Sequence, residues 1–176
     1  MPQCVLVRVE LEGISPPIWR SFTVPKTITM HQFHEAIQAV MGWEGTHLYQ
    51  FKAGDDVCQM PDEEGPARAT NSLKEILDEW LLDGLTRLEY LYDFGDGWSH
   101  ELVFGELRQD ANPACLEGAR ACPPEDCGGV PGYDVLVNRG HPEHKELKHW
   151  AGKWEPEGFD LEKVNWRLKK VRLGKI

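Results

Sequence analysis

A chain of 176 residues, 41% hydrophobic and 27% charged, has ordinary globular composition and the size of one domain, expected to span 1–176. With 29 acidic against 19 basic residues and a formal net charge of −10, it repels phosphate backbones, which weighs against general electrostatic binding of nucleic acid. No apolar run approaches the ~20 residues that cross a bilayer, and Arg8 and Glu10 interrupt the N-terminal apolar stretch, so no membrane span or signal peptide is expected and the protein reads as cytoplasmic.

Val5, Val7, Val9 and Leu11 alternate with polar residues, which predicts a strand with one buried face over 5–12. Ser15-Pro16-Pro17 breaks it, and an extended pattern resumes over 18–24, so the two segments are expected to form a hairpin. Thr29 is placed to cap a helix whose apolar positions Phe33, Ile37, Val40 and Met41 recur at helical spacing, with Gly42 as its C-terminal cap. A short strand is expected over 47–52, with Leu48 and Phe51 as core residues. The stretch 53–71 reads as a surface loop with a short strand near Val57. Ser72 and Glu75 have capping-box spacing, which predicts a helix over 73–80 with the stripe Leu73, Ile76, Leu77 and Trp80. Strands are expected over 87–94 and 98–107. Gly95-Asp96-Gly97 joins them, since glycine tolerates the positive φ of a tight turn.

Residues 110–132 change character, with three Cys, four Pro, four Gly and no apolar period. Neither strand nor helix is expected there, so another source of order is needed. Helical patterns follow over 133–138, 142–151 and 161–171, with Pro142 as a first helical residue and Asp160 as a cap. The order predicts an α+β fold: a mixed, mainly antiparallel sheet with packed helices, a Cys/Pro-rich loop and C-terminal helices. The five cysteines are odd in number and lack a secretion signal, which argues against disulfides. Cys4 reads as a core residue, and Cys58, in a polar loop, is given no role.

Five strings stand in order. They are Pro16-Pro17-Ile18-Trp19-Arg20; Ala36-Ile37-Gln38-Ala39-Val40-Met41-Gly42-Trp43; and His47-Leu48-Tyr49-Gln50-Phe51. Then come Tyr92-Asp93-Phe94-Gly95-Asp96-Gly97-Trp98-Ser99-His100 and the run from Cys115 through Cys122-Pro123-Pro124-Glu125-Asp126-Cys127 to Gly129. In this order and spacing the chain resembles the plasmid pRiA4b ORF-3-like family over nearly its whole length. The resemblance implies an α+β sheet-and-helix domain like that of an archaeal structural-genomics protein, and no assigned activity. It also implies a mobile-element context, because members carry a TnpR (resolvase) label. Ser15, Ser21, Ser72 and Ser99 lack the arginines that a resolvase nucleophile needs. Tyr49 stands where members often carry His; if that His is a ligand in them, this chain lacks it.

Cys115-x6-Cys122-x4-Cys127 places three soft ligands within thirteen residues, a donor set suited to zinc, which can order a loop outright. His100 is the expected fourth ligand, with His47, His141 and His144 as alternatives. Without metal the same cysteines are packed thiols or a regulatory disulfide. Asp93, Asp96 and His100 form a second candidate group. Turn chemistry explains Asp96 and both glycines, which leaves Asp93 and His100 as acid–base candidates. Asp93-Phe94-Gly95 matches a kinase triplet, but the Gly-rich and catalytic-loop signatures are missing. His141-Pro142-Glu143-His144 is not the HExxH zinc signature and reads as exposed. Trp19, Trp43 and Trp98 are expected in the core. The run Arg167, Lys169, Lys170, Arg172 and Lys175 reads as a solvated helix face.

Three functions are consistent with these residues. The first is a non-enzymatic binding module, linked to mobile elements, with a zinc-ordered loop. The second is a metal-dependent hydrolase using Asp93, His100 and the cysteine loop. The third is a nucleic-acid-binding protein, marked by clustering of Arg20, Arg167, Lys170 and Arg172. A protein or nucleic-acid partner fits; a membrane does not.

Overall fold

The computed structural model describes residues 3–109 and 112–174; Asp110, Lys175 and the N-terminal Met1 fall outside them. The strands are β1 (Cys4–Leu11), β2 (Trp19–Pro25), β3 (Tyr49–Ala53), β4 (Asp56–Gln59), β5 (Thr70–Asn71), β6 (Arg87–Tyr92), β7 (Trp98–Arg108) and β8 (Ala114–Ala119). The helices are α1 (Met30–Met41), α2 (Leu77–Leu82), α3 (Gly129–Val137), α4 (His144–Ala151) and α5 (Leu161–Leu168). The strands form one sheet in the order β5-β4-β3-β6-β7-β1-β2-β8. Every pairing is antiparallel except β4 with β5. This is an α+β fold, as expected.

The apolar alternation of β1 explains its central place. Val5, Val7, Val9 and Leu11 are buried, and the strand pairs with β2 on one side and β7 on the other. Helix α1 covers the same face, burying Phe33, Ala36, Ile37 and Val40. The Phe33 ring stacks on Phe51 with centroids 5.6 Å apart. Thr29 and Gln32 form a reciprocal capping box, and Gly42 closes the helix at φ 118°, a conformation that glycine adopts without strain. Helix α5, capped by Asp160, packs against α1 and β8.

Several expectations need correction. Leu48 is 58% exposed, because its neighbours Tyr49 and Phe51 take the inward positions of the alternating strand. The helix expected over 73–80 begins only at Leu77. The Ser72 hydroxyl is spent on Tyr49 Oη at 2.7 Å rather than on a helix cap. The Ile76 backbone is extended and bridges to Thr29. Residues 112–132 do contain regular structure: β8 pairs with β2, and α3 starts at Gly129. Cys58 is buried on β4, not in a polar loop.

Two histidines sit in the interior. Burial lowers His100 to about 4, and burial reinforced by His31 lowers His34 to about 3. Both rings are therefore neutral in the folded protein, whereas in the unfolded chain each takes up a proton near pH 6.5. Their contribution to stability is fully present above about pH 6.5 and is lost as pH falls toward the folded values. Each adds a slope of up to ~1.4 kcal/mol per pH unit in that window. Urea denaturation should show stability dropping between pH 7 and pH 5; a flat profile would contradict neutral burial.

Candidate metal centre

The turn between β6 and β7 is held by Asp93, which lies in the left-handed region at φ 60°. One carboxylate oxygen, Oδ1, accepts from the Gly95 and Asp96 backbone N–H groups at 3.0 and 3.3 Å. This local use of one oxygen favours an acidic residue at a positive-φ site. The second oxygen, Oδ2, takes no part in these two turn hydrogen bonds. The side chain is only 9% exposed.

The segment after Ala121 brings two further carboxylates. Glu125 Oε1 accepts from the Glu44 N–H at 2.8 Å and from the Tyr92 hydroxyl at 2.9 Å. Asp126 is also left-handed, at φ 59°. The segment is docked on the turn: Asp96 Oδ2 accepts from the Gly128 N–H at 3.1 Å. Close packing follows, because a Cβ at Gly129 would stand 2.4 Å from the Asp96 carbonyl oxygen. A Cβ at Gly132 would stand 1.8 Å from the Cys127 carbonyl oxygen. Gly132→Ala must displace backbone and is expected to cost roughly 2–4 kcal/mol in a denaturant titration. A loss below about 0.5 kcal/mol would show that the segment is not fixed there.

His47, just before β3, completes the group. Its Nε2 lies 2.9 Å from Asp126 Oδ1, 3.6 Å from Asp93 Oδ2 and 3.8 Å from Glu125 Oε2. Both His47 Nε2 and Glu125 Oε2 are buried atoms without a hydrogen-bond partner among the described residues. Unsatisfied buried polar atoms are costly unless something else completes them. The ligand atoms of His47, Asp93 and Asp126 all lie within 4.8 Å of one another, close to the spacing around a cation bonded at about 2.0–2.3 Å. Among the described residues no other set of three His, Cys, Asp or Glu side chains meets that condition.

The expected zinc ligands are placed differently. Cys115, Cys122 and Cys127 are free thiols that do not converge with His100 as a set. Burial pushes Cys115 up to about 11 and Cys127 up to about 12, and drives Cys122 well above the usual thiol range. His100 is fully buried, and both ring nitrogens are engaged. Nε2 accepts from Trp43 Nε1–H at 3.2 Å, and Nδ1–H donates to the Tyr90 carbonyl at 3.1 Å. His100 therefore organises the core beneath the turn, together with buried Trp43 and Trp98. His144 Nδ1 binds the Val135 carbonyl, and His141 Nδ1 accepts from the Glu143 N–H. The cysteine segment also has sources of order besides metal. The Asn165 side chain bonds both the N–H and the carbonyl of Cys115, and Trp154 Nε1–H donates to the Cys122 carbonyl at 2.7 Å.

Three of the five sequence strings meet at this centre. A family model described as plasmid pRiA4b ORF-3-like protein matches residues 3–163. The chain belongs to the plasmid pRiA4b ORF-3-like family. It is similar to the uncharacterized protein y4hQ of Sinorhizobium fredii (strain NBRC 101917 / NGR234), with 38% identity over 161 residues, covering 84% of this chain and 80% of that protein. It is also similar to the crystal structure of MM3350, a protein of unknown function from Methanosarcina mazei Go1. The TM-score is 0.81 at 32% identity, covering 92% of this chain and 97% of that one.

Within this pRiA4b ORF-3-like chain, Asp93 was legible from sequence as a site residue, and His47 only as an alternative ligand. Glu125 and Asp126 were missed. The available signal was two consecutive carboxylates after two prolines, a polar pair in a segment with no helical or strand period. Tyr49, where relatives are expected to carry His, is engaged by His31 and Ser72, so that departure leaves the cluster intact.

Proposed function

We propose that this protein is a divalent-cation-dependent binding module, with the cation held by His47, Asp93 and Asp126 and flanked by Glu125. One observation carries the reading: three strings far apart in sequence place one imidazole and three carboxylates together, with the buried atoms His47 Nε2 and Glu125 Oε2 making no hydrogen bond among the described residues. The mixed nitrogen and oxygen donors suit zinc or manganese, whereas an all-oxygen set would suit calcium or magnesium. Asp126 is 68% exposed, so one side of the cation would remain open to an exogenous ligand. That openness favours a second reading, metal-assisted hydrolysis, in which Glu125 Oε2 would accept a proton from a metal-bound water. Among the described residues no helix is long and apolar enough to cross a membrane, and nothing in the cluster bears on a mobile-element context.

Calorimetric titration with Mn²⁺ and Zn²⁺ tests the reading. One site per chain is expected, with affinity falling at least about tenfold in His47→Ala. Equal binding by wild type and His47→Ala would overturn it. Turnover of ester or phosphoester substrates only with bound cation would select the hydrolytic reading over simple binding.

A further inference from the structure

A cavity of about 820 Å³ opens between α1 and α5, and a hydrogen-bond relay at its floor has a direction that can be worked out. The Gly45 N–H can only donate, and it donates to Gln38 Oε1 at 2.7 Å. That fixes the amide, so Gln38 Nε2 donates to the Tyr90 hydroxyl at 2.9 Å. The Tyr90 hydroxyl, having accepted there, gives its one hydrogen to His34 Nδ1, 2.7 Å away. In the neutral ring the proton then sits on Nε2. His34 is 5% exposed, stacks on Tyr49 with centroids 3.6 Å apart, and lines the cavity. Its Nε2–H has no acceptor among the described residues. A donor of fixed polarity, on a side chain only 5% exposed, therefore borders the cavity without a protein acceptor among the described residues.

The opposite wall is cationic. Lys163, Arg167 and Lys170 follow one another at helical spacing and line the same cavity. Arg167 is anchored by donating to the Trp43 and Gln38 carbonyls, and the Lys170 ammonium lies 3.2 Å from the Trp166 ring centroid. None of the three has a carboxylate within ion-pair distance among the described residues. In a chain of net charge −10, three clustered cations without carboxylate partners create a local positive potential. Glu35 and Glu44 also line the cavity, which limits the surplus charge and disfavours a polyanion such as nucleic acid. Arg20, expected to join a basic surface, is buried and takes no part.

We propose that the α1–α5 cavity binds a small ligand bearing one or two oxyanion groups, carboxylate or phosphate, held by His34 Nε2–H and by Lys163, Arg167 and Lys170. None of His47, Asp93, Glu125 and Asp126 lines this cavity, so the site uses residues other than those of the cation centre. Trp43 and Trp166 line it, so indole fluorescence reports occupancy. The full chain is titrated with inorganic phosphate, with succinate, and with sodium chloride at matched ionic strength. A saturable change is expected with phosphate or succinate but not chloride, weakened about tenfold or more in Lys163→Ala and Lys170→Ala. Both residues are exposed, so these variants should fold. Saturation by phosphate alone assigns a phosphate-bearing ligand, and by succinate alone a carboxylate. Saturation by neither, a response equal to that of chloride, or undiminished binding in both variants overturns the proposal.

Discussion

Replacing Arg20 with Met is expected to leave the protein several kcal/mol less stable, or unfolded. All five guanidinium hydrogens are spent on backbone carbonyls. Nε donates to Val40 O at 2.8 Å, Nη1 to Trp19 and Ala119 O at 2.8 and 2.9 Å, and Nη2 to Met41 and Arg120 O at 3.3 and 2.8 Å. Val40 and Met41 end α1, where helix carbonyls lack intrahelical partners and a cation is favoured. One side chain thus ties the helix end to β2 and to the exit of β8, and the Phe159 ring covers it with its centroid 4.5 Å away. Methionine has similar reach and no donor, so five carbonyls would lose their partner. Unsatisfied buried acceptors and the broken network are expected to cost ~3–5 kcal/mol. Arg20→Lys offers at most three donors and should fall between the two. Chemical denaturation measures this directly, and a loss under about 1 kcal/mol in Arg20→Met would show that the carbonyls find other donors.

Asp93→Asn is expected to separate the stability of the cation centre from its affinity. Asparagine tolerates the left-handed backbone and can still accept the Gly95 and Asp96 N–H groups. The turn should therefore persist. One of the charges crowded near His47 is removed, so the metal-free variant should melt at or above the wild-type temperature. With cation at about 100 times the dissociation constant, the wild type gains about 2.7 kcal/mol, or a rise of roughly 5–11 °C for a chain of this size. The variant should show little of that rise. A variant that melts well below wild type without cation, yet gains the full increment with it, would place Asp93 in the fold and not in the site.

The parts of the fold that were legible from sequence rest on local rules. The period-two burial of Val5, Val7 and Val9, the Thr29 cap and the glycine turn after Asp93 are each decided within a few residues. The missed parts depend on partners far along the chain. Nothing local marks Ala114–Ala119 as a strand; it exists because β2 offers an edge and Asn165 clamps Cys115. Ser72 has the spacing of a helix cap, but Tyr49 competes for its hydroxyl. The site follows the same division. Asp93 stands out because turn chemistry uses only one of its oxygens. His47, Glu125 and Asp126 become a set only when β3, the β6–β7 turn and the segment before α3 converge. Spacing pointed to the cysteines as ligands, whereas in the folded chain they pack into the region where β8, α3 and α5 meet the sheet.

The most direct test of the cation centre is anomalous diffraction from crystals of the protein soaked separately with Mn²⁺ and Zn²⁺. A single strong peak is predicted about 2.0–2.3 Å from His47 Nε2 and from carboxylate oxygens of Asp93 and Asp126. Zinc seated among Cys115, Cys122 and Cys127, with no peak beside His47 for either metal, would contradict the account and return the site to the thiols.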